Sequence, residues 1–70
     1  PFPTEVFPEP RELPLGSGLQ PVLEGPLALE AEDRAINGRT YYSARSVRGE
    51  RLWLYREDAS GRWFLQGRFA

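Results

Sequence analysis

RTYYSARSVRGERLWLYREDASGRWFLQG, residues 39–67, decides the fold. Tyr, Trp, Phe, Val and Thr suit a pleated, half-buried surface, and with leucine they fill three short runs of this stretch. Val47-Arg48-Gly49 offers a three-residue turn with glycine where a positive φ is needed, and Glu57-Asp58-Ala59-Ser60-Gly61 offers a second turn. RTYYSARSV, ERLWLYR and RWFLQG therefore read as three strands of an antiparallel meander. If Ser46 closes against Glu50, Tyr42 lies opposite Leu54, Ala44 opposite Leu52 and Ser43 opposite Trp53. If Arg56 then closes against Arg62, Leu54 faces Phe64 and Tyr55 faces Trp63. One face then holds Tyr42, Ala44, Leu52, Leu54 and Phe64, and the other holds Tyr41, Trp53, Tyr55, Trp63 and Leu65. A one-residue change in the second loop exchanges members of the third strand and leaves both faces apolar. Antiparallel sheets with one wet face alternate apolar with polar side chains, and these strands do not.

Such a sheet needs cover on two sides. Upstream, Leu19, Val22, Leu23, Leu27, Leu29 and Ile36 supply enough apolar material for one side, and little remains for the other. Each large aromatic left in water forgoes about 1.5–3 kcal/mol of burial, so five of them together rival the stability of a small domain. A protein partner, a neighbouring domain or a second copy is the expected cover.

The rest of the chain is organised around that module. All seven prolines lie at or before Pro26, where they deny backbone donors and favour extended conformations, so residues 1–21 read as a Pro-rich linker or docking tail and 22–70 as a small β module. In VLEGPLALEAEDRAING, residues 22–38, helix propensity competes with the alternation of Leu27 and Leu29. The expectation is a short strand at 26–30 followed by a loop or one helical turn, with Asn37-Gly38 as a left-handed stop. The fold class is thus mainly β, a three- to four-stranded antiparallel meander with an extended N-terminal segment.

Seventy residues make one domain at most, and burial barely balances chain entropy at that size. There are no cysteines and no histidines, which removes disulfides, the usual zinc sites and imidazole-based catalysis. The acids of the ordered half, Glu50, Glu57 and Asp58, fall at strand ends or in turns, where no spacing sets two carboxyl pKa values apart, so no enzyme, catalytic residue or cofactor is expected. Gly16-Ser17-Gly18 is no dinucleotide fingerprint, because Pro21 stands where a third glycine belongs. No apolar run reaches transmembrane length and no signal peptide is visible; an excised piece or the end of a longer, soluble cytoplasmic protein is expected. Charge is uneven, with two Arg against seven acids in residues 1–38 and seven Arg against three acids in residues 39–70. Arginines interleaved with aromatics, namely Arg45, Arg51, Arg56 and Arg62, fit a stacking platform for single-stranded nucleic acid. They fit equally the flanks of a protein interface, where Trp, Tyr and Arg are enriched, and the weak net charge favours the protein.

Residues 39–70 resemble the C-terminal module of ImuB, a polymerase-like protein of bacterial mutagenesis cassettes. Its pattern runs approximately Arg-Asp-Tyr-Tyr, then Gly-x-Arg-Leu-Trp-Leu-Phe-Arg, then Trp-Phe-Leu-His-Gly-Leu-Phe-Ala. Tyr41-Tyr42, Gly49, Arg51 to Arg56, Gly61, Trp63 to Leu65, Gly67 and Phe69-Ala70 fall on it, while Thr40, Gln66 and Arg68 depart from it. PEPRELPLG, residues 8–16, is similar to the Pro-rich approach to that module. The resemblance implies an interaction module of a damage-induced translesion DNA synthesis adaptor. Its partners would be a RecA-like ImuA-type protein and an error-prone replicative polymerase alpha subunit, contacted through Tyr41, Trp53, Tyr55, Trp63, Leu65 and Phe69. Glu12-Leu13-Pro14-Leu15-Gly16 is similar to sliding-clamp peptides only in its leucines, so Leu13 and Leu15 are expected to dock on the module's own sheet. A single-stranded nucleic-acid-binding sheet and a self-associating structural cap are the alternatives.

Overall fold

Three tight turns shape the computed structural model, which describes residues 2–70; the first residue of the Pro-rich stretch lies outside the described residues. At the first, Ser46 N donates to Glu50 O at 2.9 Å, Gly49 sits at φ 86°, and the Ser46 hydroxyl accepts from the amides of Arg48 and Glu50. That turn joins β3 (Arg39–Arg45) to β4 (Arg51–Glu57) and sets the expected register, with Tyr42 opposite Leu54, Ser43 opposite Trp53 and Ala44 opposite Leu52.

The second turn differs from expectation by one residue. Glu57, not Arg56, closes on Arg62, because Gly61 at φ 74° ends a four-residue loop, 58–61. In β5 (Trp63–Arg68) Phe64 therefore pairs with Tyr55, Leu65 with Leu54 and Trp63 with Arg56. Since side chains alternate, the slip turns Trp63 and Leu65 toward Leu54 and turns Phe64 toward Tyr55.

The third turn belongs to a strand longer than expected. Residues Ala28–Ile36 form β2, paired antiparallel with β3, where a loop or helical turn was expected after residue 30. Register shifts at Glu30 and at Asp33 make each an extra bulge residue, which breaks the period-two pattern and hides the strand from a reading of alternation. Asn37 and Gly38, at φ 51° and 80°, form the two-residue hairpin loop to β3; both positions need the left-handed region, which Asn and Gly reach most readily.

The Pro-rich stretch expected as a linker is also part of the sheet. Glu5–Leu13 is β1, extended as anticipated, and it pairs antiparallel with β5 to complete a five-stranded sheet of order β1-β5-β4-β3-β2. Between Val6 and Arg11 the ladder is interrupted, as Pro8 and Pro10 have no amide to donate. There the Gln66 side-chain amide donates to Phe7 O at 2.9 Å. Gly67 pairs with Val6, and a Cβ at residue 67 would run into the Glu5 carbonyl, so glycine alone allows β1 to lie this close.

Residues 14–27 fold over one face, with a 3-10 turn at Ser17–Leu19 and the bonds Val22 N to Pro14 O and Leu27 N to Pro21 O. Under this strap lies the core of Leu13, Leu27, Ala44, Leu52, Leu54, Trp63 and Leu65, with Phe7, Leu23, Leu29 and Tyr42 packed at its margin. Leu13 docks on the sheet as expected, whereas Leu15, Leu19 and Ile36 stay exposed. Among the described residues no helix is long and apolar enough to cross a membrane.

Leu54 is fully buried and Leu19 is 73% exposed. In urea denaturation, Leu54→Ala is expected to lose about 2–5 kcal/mol and Leu19→Ala to stay within about 0.5 kcal/mol of the parent. Gly67→Ala is expected to cost about 1–3 kcal/mol and to raise amide exchange along β1 before β3.

Candidate interaction surface

The face opposite the strap is built by alternation from β3, β4 and β5. It carries a continuous aromatic ladder. Trp53 stacks on Tyr41 with centroids 4.9 Å apart, Tyr41 meets Tyr55 at 5.4 Å, and Tyr55 stacks on Phe64 at 5.0 Å. Tyr55 at the centre is buried, while Tyr41, Trp53 and Phe64 are half-buried. Each such pair contributes about 0.5–1.5 kcal/mol beyond its buried area. On the sealed face, by contrast, Trp63 packs against Tyr42 at 5.0 Å.

Of the six side chains expected to form one partner-binding face, Tyr41, Trp53, Tyr55 and Phe69 are together here. Phe69 follows β5, its amide bonded to Arg51 O, and shares with Trp53 a hollow that also borders Ser43 and Ala31. Trp63 and Leu65 are not on this face. Both are 6% exposed in the core under the strap, a consequence of the 58–61 loop. Phe64 takes the place expected for Trp63, and the glycine at the end of that loop was the available signal.

Arginines frame the ladder. The Arg39 guanidinium lies over Tyr55 at 4.3 Å, Arg51 over Phe69 at 4.8 Å and Arg62 over Phe64 at 5.8 Å. The four arginines weighed as a nucleic-acid platform are each held by a carboxylate. Arg45 and Arg51 reach Glu30 at 3.0 and 3.6 Å, Arg56 reaches Asp58 at 3.7 Å, and Arg62 donates through Nε and Nη2 to both oxygens of Glu12. With Arg68 on Glu5, four arginines of the basic half meet carboxylates of the acidic half across the sheet. Burial pushes the Tyr55 phenol above the usual tyrosine range, opposed by the neighbouring Arg39. The hydrogen bonds from Arg62 hold the Glu12 carboxyl below its ordinary value.

Glu50, Glu57 and Asp58 lie at strand ends or in turns, where Glu57 accepts from the Ser60 hydroxyl and Asp58 from the Thr40 hydroxyl. No group of His, Cys, Asp or Glu side chains among the described residues is placed to hold a metal ion. The chain matches no family model, no curated protein and no solved structure.

The Glu12–Arg62 pair has a pH signature. A carboxyl lowered in the folded state stabilises fully above its unfolded value, about 4.3, and that contribution disappears as pH falls through the lower folded value. The melting-temperature gap between the parent and Glu12→Gln is expected to be constant above about pH 5.5 and to narrow as pH falls below about 4.3. A gap that widens in acid contradicts the assignment.

Proposed function

We propose that this chain is a protein–protein interaction module of a damage-induced translesion DNA synthesis adaptor, working in the cytoplasm without catalysis. Its partners on this reading are a RecA-like ImuA-type protein, an error-prone polymerase alpha subunit, or both. The observation that carries it is the ladder of Trp53, Tyr41, Tyr55 and Phe64 on the face that the chain's own strap does not cover. Aromatics flanked by arginine stems are the composition of an interface hot spot. The run of residues that resembles the ImuB module supplies the biological setting, and three of the four ladder residues fall on its pattern directly; Tyr55 stands where the pattern has phenylalanine.

The two alternatives fare less well. A single-stranded nucleic-acid platform needs free cations, and Arg45, Arg51, Arg56 and Arg62 are all paired with carboxylates. A self-associating cap that adds strand to strand meets Pro8 and Pro10 on β1 at one edge and two bulges on β2 at the other, both of which obstruct edge pairing.

Replacing Trp53 and Tyr41 together by alanine is expected to weaken capture of an ImuA-type protein or the alpha subunit by about 2–4 kcal/mol, roughly 30- to 1,000-fold, with circular dichroism preserved. Trp63→Ala should lose binding only by unfolding the module. Unchanged capture of both partners by the folded double variant overturns the proposal. Tight oligonucleotide binding with a steep log-linear salt dependence favours the nucleic-acid alternative.

A further inference from the structure

Phe2 is 84% exposed, yet it stands at the rim of an apolar hollow on the open face. The hollow has a volume of about 150 Å³ and is lined by Phe2, Pro3, Ile36, Tyr41 and Trp53. An apolar space of about that size takes up a benzene ring. Asp33 and Arg34 complete the wall and pair with each other at 3.5 Å, which leaves the hollow without an unpaired charge and suits it to an apolar occupant. Residues 2–3 are led there by an anchor. Thr4 is fixed at the end of the β1–β5 ladder, its amide on Arg68 O at 2.9 Å and its hydroxyl accepting from the Ala70 amide at 2.7 Å. From that anchor the chain reaches, within two residues, a hollow shared with β4, β3 and β2, so residues 2–3 cross the open face. Pro3 fixes its own φ and confines Phe2 to extended conformations, so the arm is short and stiff and loses little freedom on docking.

We propose that Phe2 and Pro3 form a built-in lid for the open face: the Phe2 ring enters the hollow, caps Tyr41 and one side of Trp53, and is displaced when a partner docks. Closing removes apolar surface of both the ring and the hollow from water, and the tether at Thr4 keeps the ring at high effective concentration over its seat. The far side of the Trp53 indole borders the separate hollow beside Ala31 and Ser43, which the lid leaves open. Tyr41 and Trp53 are the side chains on which the proposed interface depends most, so the lid sets the fraction of the chain that is competent to bind. The apparent Kd is then the intrinsic value divided by the open fraction. This rests on the open face being a protein interface, and it adds the regulation of that face.

The test compares the 70-residue chain with its Phe2→Ala variant. In NMR spectra of the parent at low protein concentration, the Phe2 ring is expected to show NOEs to the Trp53 indole and to the Ile36 methyls. Phe2→Ala should keep the parent's melting temperature, shift the Trp53 indole N–H resonance and, in a Trp63→Phe background, raise acrylamide quenching of Trp53. Capture of the ImuA-type protein or the alpha subunit should tighten roughly 3- to 10-fold, the factor for a lid closed in about two-thirds to nine-tenths of molecules. Absent NOEs together with unchanged quenching overturn the inference. So do NOEs that appear only as concentration rises, which assign the ring to a second copy, and weaker capture by Phe2→Ala, which makes the ring part of the contact surface. If the NOEs and the quenching change are seen but neither Phe2→Ala nor the Trp53, Tyr41 double variant alters capture, the lid stands and the interaction reading fails. If the double variant loses capture while Phe2→Ala changes neither quenching nor capture, the lid fails and the interaction reading stands.

Discussion

The pairing of Tyr55 with Phe64 across β4 and β5 governs which aromatic rings this small protein hides. Side chains alternate along a strand, so one residue more or less in the connecting loop reverses every side chain of β5. The loop 58–61 is tied at both ends, by Glu57 N on Arg62 O and Gly61 N on Glu57 O. The Asp58 amide also bonds Gly38 O in the neighbouring turn, so the β4–β5 loop and the β2–β3 loop brace each other. From that register follow the burial of Trp63 against Tyr42 and the stacking of Phe64 on Tyr55. The bulge at Gln66 then resets the alternation, so that Gly67 faces β1 without a side chain in the way.

Charge is arranged by the same sheet. β1 and β2, the two edges, come from the acidic half of the chain, and β3, β4 and β5 come from the basic half. Glu5 and Glu12 on β1 meet Arg68 and Arg62, while Glu30 in the β2 bulge meets Arg45 and Arg51. These are exposed pairs that contribute little stability one by one. Their consequence is electrostatic: Arg45, Arg51, Arg62 and Arg68 of the basic half each face a carboxylate of the acidic half.

The sequence made the central hairpin legible down to its register, because Gly49 marks the turn closed by Ser46 and Glu50 and the β3–β4 ladder runs from it without a bulge. It made the meander and the two apolar faces legible as well. The β5 register was not, since EDASGR allows closure at residue 56 or 57 and both leave apolar faces; only Gly61 favoured the shorter loop. β2 was hidden by its bulges, whose extra residues Glu30 and Asp33 break the alternation, although Asn37-Gly38 is a strong hairpin signal in its own right. β1 was hidden by its prolines, which read as a tail and are tolerated here because the strand lies at a sheet edge. As a result Tyr41, Trp53, Tyr55 and Phe69 of the six expected residues share one face, with Tyr55 buried within it, while Trp63 and Leu65 exchanged places with Phe64.

A direct measurement of this account is acrylamide quenching of two single-tryptophan variants, Trp63→Phe, which reports Trp53, and Trp53→Phe, which reports Trp63. Trp53 on the open face should be quenched readily and Trp63 under the strap only weakly. Equal shielding of both indoles, or readier quenching of Trp63, would contradict the register and the open aromatic face with it.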